Sequence, residues 1–369
     1  MNYKTQIKTK VKELLEDPNK KTVKIEIPEE KYINIKPIRS TFNKIIIQVS
    51  RKIVPSHIKN WLMRRAGLNI GHDVCLPNDI IFDPYFPELI TVEDGALIGA
   101  PNKVMAHEYK DGILTLGKIL VKKRVLVGAF SYLKPGAVIN EKSILNFGSE
   151  LNQEVPEGEL WGDRPAKFWK KFTEEELEKY FKPSTGNYKE YYKEARKKIK
   201  EFQKNPEIDF LKMHYDGKRL NAGDDWWRAR NVLRIFYNGV IIELTRLLPH
   251  CFIKTLLLKM VGVKIGKNVT IGKGTVFDHI YCDMMAVEDD VKIGKCCEFG
   301  GHEYTITQTV FGRTLIKKGA ELKDHVLVRA GTTVGEKSVI EPYSGIQKEI
   351  PANERWKGMP AKFVEKLEK

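Results

Sequence analysis

Cysteine is scarce in this chain, and its spacing matches no disulfide framework. The 369 residues include five cysteines, at positions 75, 251, 282, 296 and 297, and none forms a C-x-x-C pair. An odd number without paired spacing argues for reduced thiols. The first 21 residues also lack an apolar core, which argues against a secretion signal. Both absences predict a cytoplasmic protein.

Acidic residues are fewer than basic residues, and long apolar runs without a charged residue are lacking. The 48 Asp and Glu are outnumbered by 63 Lys and Arg, so the net charge is +15, which favours anionic partners such as membrane surfaces or phosphate-rich ligands. No recognition helix, zinc finger or aromatic RNA-binding signature is present, so we predict no nucleic-acid partner. Two apolar stretches, 42–66 and 237–261, contain charged residues such as Arg51 and Glu243, which excludes transmembrane spans.

The chain contains one long segment twice. Residues 67–168 recur at 262–363 without a gap, at a constant offset of 195 residues. The matches include Phe82-Asp83 with Phe277-Asp278, His107-Glu108-Tyr109 with His302-Glu303-Tyr304, and Pro165-Ala166-Lys167-Phe168 with Pro360-Ala361-Lys362-Phe363. A repeat of fixed length predicts a tandem duplication.

Each copy contains a shorter repeat of six residues. The first copy reads VKKRVL, VGAFSY, LKPGAV, INEKSI, LNFGSE, and the second reads IKKGAE, LKDHVL, VRAGTT, VGEKSV, IEPYSG. An aliphatic residue opens each hexad, and a small residue often follows four places later. One inward aliphatic in six fits a short strand plus a turn, three of which make a triangular coil. An amphipathic helix does not fit, because glycine and β-branched residues recur throughout.

Together these features resemble the left-handed β-helix acyltransferases, the hexapeptide-repeat O-acetyltransferases that act on sugars. The resemblance covers roughly residues 41–170 and 236–366. It includes the run FDPYFPELITVEDG, a histidine on an excursion from the coil, the LKPG step and the closing GMPAK. It implies a mainly β fold with two left-handed parallel β-helices in tandem. It further implies acetyl-CoA as co-substrate, no metal, and a homotrimer with acetyl-CoA in the groove between neighbouring β-helices.

We predict six segments in the chain. They are an N-terminal arm at 1–40, a helical cap at 41–66, a β-helix at 67–170, a helical linker at 171–235, a second cap at 236–261 and a second β-helix at 262–369. Each cap sequence reads as an amphipathic helix broken by Pro55 or Pro249. The caps either cover the unpaired backbone of the first coil or lie on an anionic membrane, and both can hold.

His107 and His302 are the candidate catalytic residues. Each falls at the fourth place of its hexad frame and precedes a stretch that leaves the hexad pattern, as an active-site loop would. The resemblance implies that the imidazole takes the proton of a sugar hydroxyl while that oxygen attacks the acetyl thioester. The alternative is a structural His-Glu-Tyr corner copied by duplication. The resemblance also implies that Asp83 and Asp278 bind the acceptor, although a turn aspartate explains them equally well.

The resemblance also implies which residues contact CoA. They are Gly128, Ala129, Gly136, Ser149 and Lys167 in the first copy, and Gly331, Ser344 and Lys362 in the second. Each copy departs from the family in one place. Asp163-Arg164 precede Pro165 in the first copy, and Lys323-Asp324 replace Gly128-Ala129 in the second. A complete site therefore lies in one copy or where copies meet in an oligomer, and the sequence does not choose.

Two further hypotheses stand beside acetyl transfer. One is a non-catalytic β-helix scaffold. The other is a zinc hydrase like the γ-class carbonic anhydrases, because His279, His302 and His325 are evenly spaced, although that spacing matches the family poorly. The leading hypothesis is an O-acetyltransferase that modifies a nucleotide sugar, a polysaccharide or a lipid-linked glycan precursor. It would be cytoplasmic, and peripheral at the inner face of the membrane if the caps touch lipid.

Overall fold

The computed structural model describes residues 3–33, 37–182, 184–228, 230–347 and 349–368. The chain divides into two compact units. Unit 1 comprises Met1–Thr185, Lys218–Asp224 and Thr305–Thr307, and unit 2 comprises Gly186–Gly217, Asp225–Tyr304 and Gln308–Lys369. The segment 171–235, predicted as a linker, is thus divided between the units.

The helices lie mainly before the β-sheet region of each unit. Unit 1 has α1 (Tyr3–Glu16), α2 (Glu29–Ile33), α3 (Pro37–Ser50), α4 (His57–Arg65) and α5 (Glu174–Phe181), and unit 2 has α6 (Tyr188–Lys204), α7 (Val232–Leu247) and α8 (Phe252–Met260). Short 3-10 segments occur at Pro87–Leu89, Ala222–Arg228 and Cys282–Met284. At α5 the Thr173 and Glu176 side chains form a reciprocal capping box, which satisfies two backbone N–H groups of the first turn.

The short strands of unit 1 form three parallel sheets that the chain visits in turn. The strands are Asn69–Ile70, Ile90–Val92, Ile119–Val121, Val138–Ile139 and Glu154–Val155 in the first sheet; Leu97–Ile98, Leu126–Val127, Ile144–Leu145, Glu159–Gly162 and the antiparallel Lys167–Lys171 in the second; and Ile80–Phe82, Asn102–Val104, Tyr132–Leu133 and Glu150–Leu151 in the third. Leu126 pairs with Ile144, eighteen residues later, so one coil spans three hexads. The predicted mainly β, parallel architecture is confirmed.

Unit 2 has the same three-sheet arrangement. Its strands are Lys264–Ile265, Met285–Val287, Thr314–Ile316 and Thr333–Val334 in one sheet; Thr270–Ile271, Lys292–Ile293, Glu321–Leu322, Val339–Ile340, Glu354–Gly358 and the antiparallel Ala361–Lys366 in another; and Val276–Phe277, Glu298–Phe299, Leu327–Val328 and Gly345–Ile346 in the third. The aliphatic residues that open the hexads form the interior of each unit. Val121, Val127, Leu133, Ile139 and Leu145 are fully buried in unit 1, as are their counterparts in unit 2.

A hairpin leaves the parallel coil in each unit and begins with the candidate histidine. The His107 hairpin consists of His107–Lys110 and Ile113–Gly117, and the outer strand Thr22–Glu26 adds to it. The His302 hairpin consists of His302–Tyr304 and Gln308–Gly312, and the outer strand Phe210–His214 adds to it. The outer strands lie outside the gapless sequence repeat, which is why the sequence did not predict them.

The cap helices satisfy backbone groups at the first coil with buried polar side chains. In unit 1, Asn60 Nδ2 donates to the Val74 carbonyl at 2.8 Å, and Lys59 Nζ donates to the Pro77 carbonyl at 2.5 Å. In unit 2, Lys254 Nζ donates to the Gly272 carbonyl at 2.6 Å. Burial lowers the pKa of Lys59 to about 7 and that of Lys254 to about 8. Over the residues described, no helix combines the length and apolar character needed to cross a bilayer.

Candidate active site

An aspartate and a histidine meet at the base of each hairpin. His107 Nδ1 lies 2.5 Å from Asp83 Oδ2, and His302 Nδ1 lies 2.5 Å from Asp278 Oδ2. In both units the two residues are 24 positions apart in the chain. The parallel pairing of Ile80–Phe82 with Asn102–Val104 explains the contact in unit 1, because it aligns the end of one strand with the segment that leads to the histidine.

Backbone N–H groups hold each carboxylate in place. Asp83 Oδ1 accepts from the Tyr85 and Phe86 nitrogens at 2.8 and 3.2 Å. Asp278 Oδ1 accepts in the same way from Ile280 and Tyr281, both at 2.8 Å. These are the turns that an aspartate after a strand end favours. The side chains therefore cannot rotate away from the imidazole without leaving backbone donors unsatisfied.

Asp278 accepts two further hydrogen bonds at its second oxygen. The backbone nitrogens of Gly301 and His302 lie 2.8 and 3.1 Å from Oδ2. Burial by itself raises the pKa of Asp278, but the charge and hydrogen bond of His302 and the backbone N–H donors outweigh it and hold this pKa well below its usual range. The carboxylate is consequently ionised at neutral pH.

The contact fixes the imidazole tautomer. The ionised Asp278 carboxylate accepts hydrogen bonds only, so Nδ1 of His302 carries the hydrogen and Nε2 of His302 presents its lone pair. Aromatic rings orient the imidazole further: Tyr85 and Phe86 lie 5.4 and 5.6 Å from the His107 ring, and Tyr281 lies 5.2 Å from the His302 ring. The His107 side chain is 9% exposed and the His302 side chain 16%. The arrangement is chemically suited to a general base.

The neighbouring glutamates do not touch the histidines. Glu108 Oε1 lies 3.1 Å from Lys134 Nζ, and both oxygens of Glu303 accept from the Arg329 guanidinium. Successive side chains on a strand point to opposite sides, which explains why Glu108 leaves the side of His107. The aspartates, expected to bind the acceptor, are the residues that contact the imidazoles. The signal in the sequence was the 24-residue separation that recurs in both copies.

The glycines predicted at the cofactor site lie where chain segments approach each other closely. A Cβ at Gly128 would collide with the backbone of Phe147. Gly136 and Gly331 have φ of +91° and +74°, and each is covered by a residue of the outer strand, Thr22 or Phe210. The fold therefore supplies a structural reason for each of these glycines. Ala129 is half-buried beside them.

The predicted serines and lysines differ sharply in accessibility. Ser149 and Ser344 are fully buried; Ser149 Oγ donates to the Asn146 carbonyl at 2.6 Å, and Ser344 Oγ accepts from the Gly358 nitrogen at 3.0 Å. Their hydroxyls therefore bond to the backbone of the coil, and their contact with CoA stays a prediction. Lys167 and Lys362 are exposed.

The two exposed lysines have different electrostatic surroundings. Lys167 Nζ lies 3.2 Å from Asp163 Oδ2. The position equivalent to Asp163 in the second copy is Gly358, so Lys362 has no carboxylate there. The cation of Lys362 is the better placed of the two to attract a phosphate group.

The three histidines of the zinc hypothesis have separate partners. His279 Nε2 lies 3.1 Å from Glu243 Oε1, His302 contacts Asp278, and the His325 ring stacks on Tyr343 at 4.7 Å between centroids. The fold does not bring their imidazoles together as a zinc site requires.

Comparison with known proteins gives matches to acetyltransferases. No family model matches the chain. "Putative acetyltransferase YvoF" of Bacillus subtilis (strain 168) is 30% identical over 143 residues, which cover 38% of this chain and 82% of YvoF. "Delta-poly-L-ornithine synthetase" of Acinetobacter baumannii (strain AB307-0294) is 32% identical over 113 residues, which cover 30% of this chain and 8% of that protein. The hexapeptide-repeat acetyltransferase VCA0836 of Vibrio cholerae O1 biovar eltor, solved with acetyl coenzyme A, aligns at 15% identity over 37% of this chain and 89% of its own, with a TM-score of 0.33.

Proposed function

Because this chain belongs to the hexapeptide-repeat acetyltransferases, the family that it shares with YvoF, we propose that it transfers the acetyl group of acetyl-CoA to a sugar hydroxyl. The acceptor is a nucleotide sugar, a polysaccharide or a lipid-linked glycan precursor. The observation that carries the proposal is the pairing of a histidine with a buried aspartate at 2.5 Å, in both units, at the start of a hairpin that leaves the coil.

The proposed reaction needs one proton relay. The imidazole Nε2 takes the proton of the sugar hydroxyl, and the oxygen attacks the carbonyl carbon of the thioester. The C–S bond then breaks, and the departing CoA sulfur takes the proton back from the imidazolium. Asp83 and Asp278 act as positioning residues, because a buried carboxylate fixes the tautomer and stabilises the imidazolium that forms between the two steps. The direct contact of these aspartates with the acceptor stays a prediction beside this role.

The second unit is the working copy in this proposal. The His302 side chain is more exposed than that of His107. Lys362 also lacks the nearby carboxylate that partly neutralises Lys167, so it is the better candidate to bind a CoA phosphate. Lys323 and Asp324 need not reach into the groove, because Lys323 Nζ lies 2.5 Å from Glu321 Oε1 and Asp324 Oδ1 accepts from the Lys295 nitrogen at 2.7 Å.

The assembly and location are part of the proposal as well. In the family pattern, left-handed coils associate as a homotrimer and acetyl-CoA lies between neighbouring β-helices, here in the cytoplasm. A peripheral contact with an anionic membrane fits the net charge of +15 and the cap helices.

Release of free thiol from acetyl-CoA, measured across a panel of sugars and nucleotide sugars, tests the function. We expect release that requires an acceptor and that falls at least about a hundredfold in His302→Gln. The matched variant His107→Gln should retain most of the rate. If both variants together keep the wild-type rate, the histidines are not the base. If no acceptor supports release and CoA does not raise the melting temperature, the chain is a scaffold.

A further inference from the structure

Helices α7 and α8 bury polar residues beside the apolar Ile235, Ile242 and Leu258, and they also expose large apolar side chains. A surface helix normally buries its apolar side and exposes its polar side. Here the buried set includes Asn238, Thr245 and Lys254. The exposed set includes Leu233 at 80%, Phe236 at 72% and Phe252 at 78% exposure. The two helices therefore present large apolar side chains to the surroundings.

Hydrogen bonds to the first coil explain the buried polar side chains of these helices but not the exposed apolar ones. Lys254 Nζ donates to the Leu248 and Gly272 carbonyls at 3.3 and 2.6 Å, and Asn238 Nδ2 donates to the Ile280 carbonyl at 3.4 Å. These bonds account for the buried polar side chains, because buried carbonyl groups need donors. They give no reason for the exposed leucines and phenylalanines. Several large apolar side chains exposed on one pair of neighbouring helices indicate a binding partner.

The corresponding helices of unit 1 also bury polar residues and expose large apolar side chains. Helices α3 and α4 bury Ser40, Asn43 and Lys59. They expose Ile38 and Trp61, among others. The apolar surface has thus been kept in both copies although the sequences differ.

The charges beside these helices identify the partner. Residues 37–66 contain seven Lys and Arg and no acid, and residues 232–261 contain four Lys and Arg and one acid, Glu243. Glu243 is itself close to His279 and Arg246. Apolar side chains flanked by cations are typical of helices that lie in the interface of anionic membranes. A second copy of the same surface would bring like charges together, which disfavours self-association.

We propose that the helix pairs α3–α4 and α7–α8 are peripheral anchors for an anionic phospholipid surface. Their exposed apolar side chains insert at the boundary between headgroups and acyl chains, and their exposed Lys and Arg contact the headgroup phosphates, whereas Lys59 and Lys254 are buried and take no part. This anchoring stands apart from the chemistry of the site. The acceptor class that it implies, a lipid-linked glycan precursor, rests on the proposed acetyl transfer.

Flotation with vesicles tests the anchor. The protein is mixed with vesicles of phosphatidylcholine alone, or with equal parts of phosphatidylglycerol, at low and high salt. We expect binding to the anionic vesicles at low salt, and a loss of roughly tenfold or more in Leu233→Ser/Phe236→Ser. The matched variant Leu15→Ser/Ile208→Ser, which removes exposed apolar residues outside the four cap helices, should bind like the wild type. A wild-type protein that stays unbound, or a cap variant that binds fully, overturns the proposal.

Two further measurements separate the alternatives. Light scattering of the cap variant distinguishes lipid from protein: if the substitutions dissociate an assembly and the wild type does not bind vesicles, a second copy covers this surface and the proposal is wrong. Thiol release with a water-soluble acceptor should be unchanged in the cap variant. If the wild type binds vesicles but releases no thiol with any acceptor, the proposed chemistry fails and the anchor stands.

Discussion

Asp278→Asn is the substitution that tests the proposed relay most directly. The carboxylate accepts from the Ile280 and Tyr281 nitrogens at one oxygen, and from the Gly301 nitrogen, the His302 nitrogen and His302 Nδ1 at the other. An asparagine offers one acceptor and one donor group. Whichever way the amide turns, its NH₂ faces two backbone N–H groups. If the NH₂ faces His302, Nδ1 must become the acceptor and the hydrogen moves to Nε2.

The magnitudes follow from this geometry. A general base contributes about 10²–10⁴-fold, and an imidazole with hydrogen on Nε2 cannot accept the substrate proton, so kcat should fall by about 10²–10³. That corresponds to about 2.7–4 kcal/mol of barrier. Two backbone donors lose their acceptor, and each such loss destabilises the fold by about 1–3 kcal/mol, so we expect a loss of about 2–6 kcal/mol.

Asp83→Asn is the matched control for the stability effect. Asp83 Oδ1 accepts from Tyr85 and Phe86, while Oδ2 contacts His107. An asparagine can place its carbonyl oxygen where Oδ1 accepts from the Tyr85 and Phe86 nitrogens, and its NH₂ then faces the His107 imidazole. The expected loss of stability is smaller, about 1 kcal/mol.

The assay is acceptor-dependent thiol release, with kcat and KM determined separately, and urea unfolding of the same samples. Because Asp278 acts through the imidazole, its substitution should not slow a His302→Gln enzyme any further. Two results would refute the reasoning. One is a wild-type kcat in Asp278→Asn while His302→Gln is inactive. The other is an equal further loss when Asp278→Asn is combined with His302→Gln.

Two more predictions concern lysines. Lys362→Glu should raise the KM for acetyl-CoA about tenfold with little change in kcat. Lys167→Glu should have little effect on this KM, because Asp163 already lies beside Lys167. Equal effects of the two substitutions in initial-rate measurements would contradict this prediction. Burial lowers the pKa of Lys59 to about 7, while an unfolded lysine titrates near 10.4. Between these pH values the unfolded state binds more protons than the folded state. The free energy of unfolding therefore rises with pH in that window. From pH 7 to 9 the free energy of unfolding should increase by about 2–3 kcal/mol more in the wild type than in Lys59→Met, which still contains Lys254 with its pKa lowered to about 8, as urea unfolding will show.

The β-helical coil and the candidate catalytic histidines could be predicted from the amino-acid sequence alone. A period of six with one aliphatic residue leaves a single interior position per strand, and Val121, Val127 and Leu133 are buried accordingly. His107 and His302 could be singled out because each precedes a stretch that leaves that period. Such patterns can be recognised in the sequence because the position of a residue within a strand determines which face of the strand its side chain lies on.

The contacts between distant segments and the burial of individual side chains became known only from the three-dimensional fold. The contact of Asp83 with His107 joins residues on different coils, and the outer strand Thr22–Glu26 pairs with Ile113–Gly117, which lies 87 to 95 positions further along the chain. No period encodes such contacts. The burial of Ser149 and the exposure of Leu233 were likewise out of reach, because burial depends on what covers a side chain and not on its own polarity. A pattern fixes the direction of a side chain along its own strand or helix, whereas its partners are fixed by how separate segments come together in space.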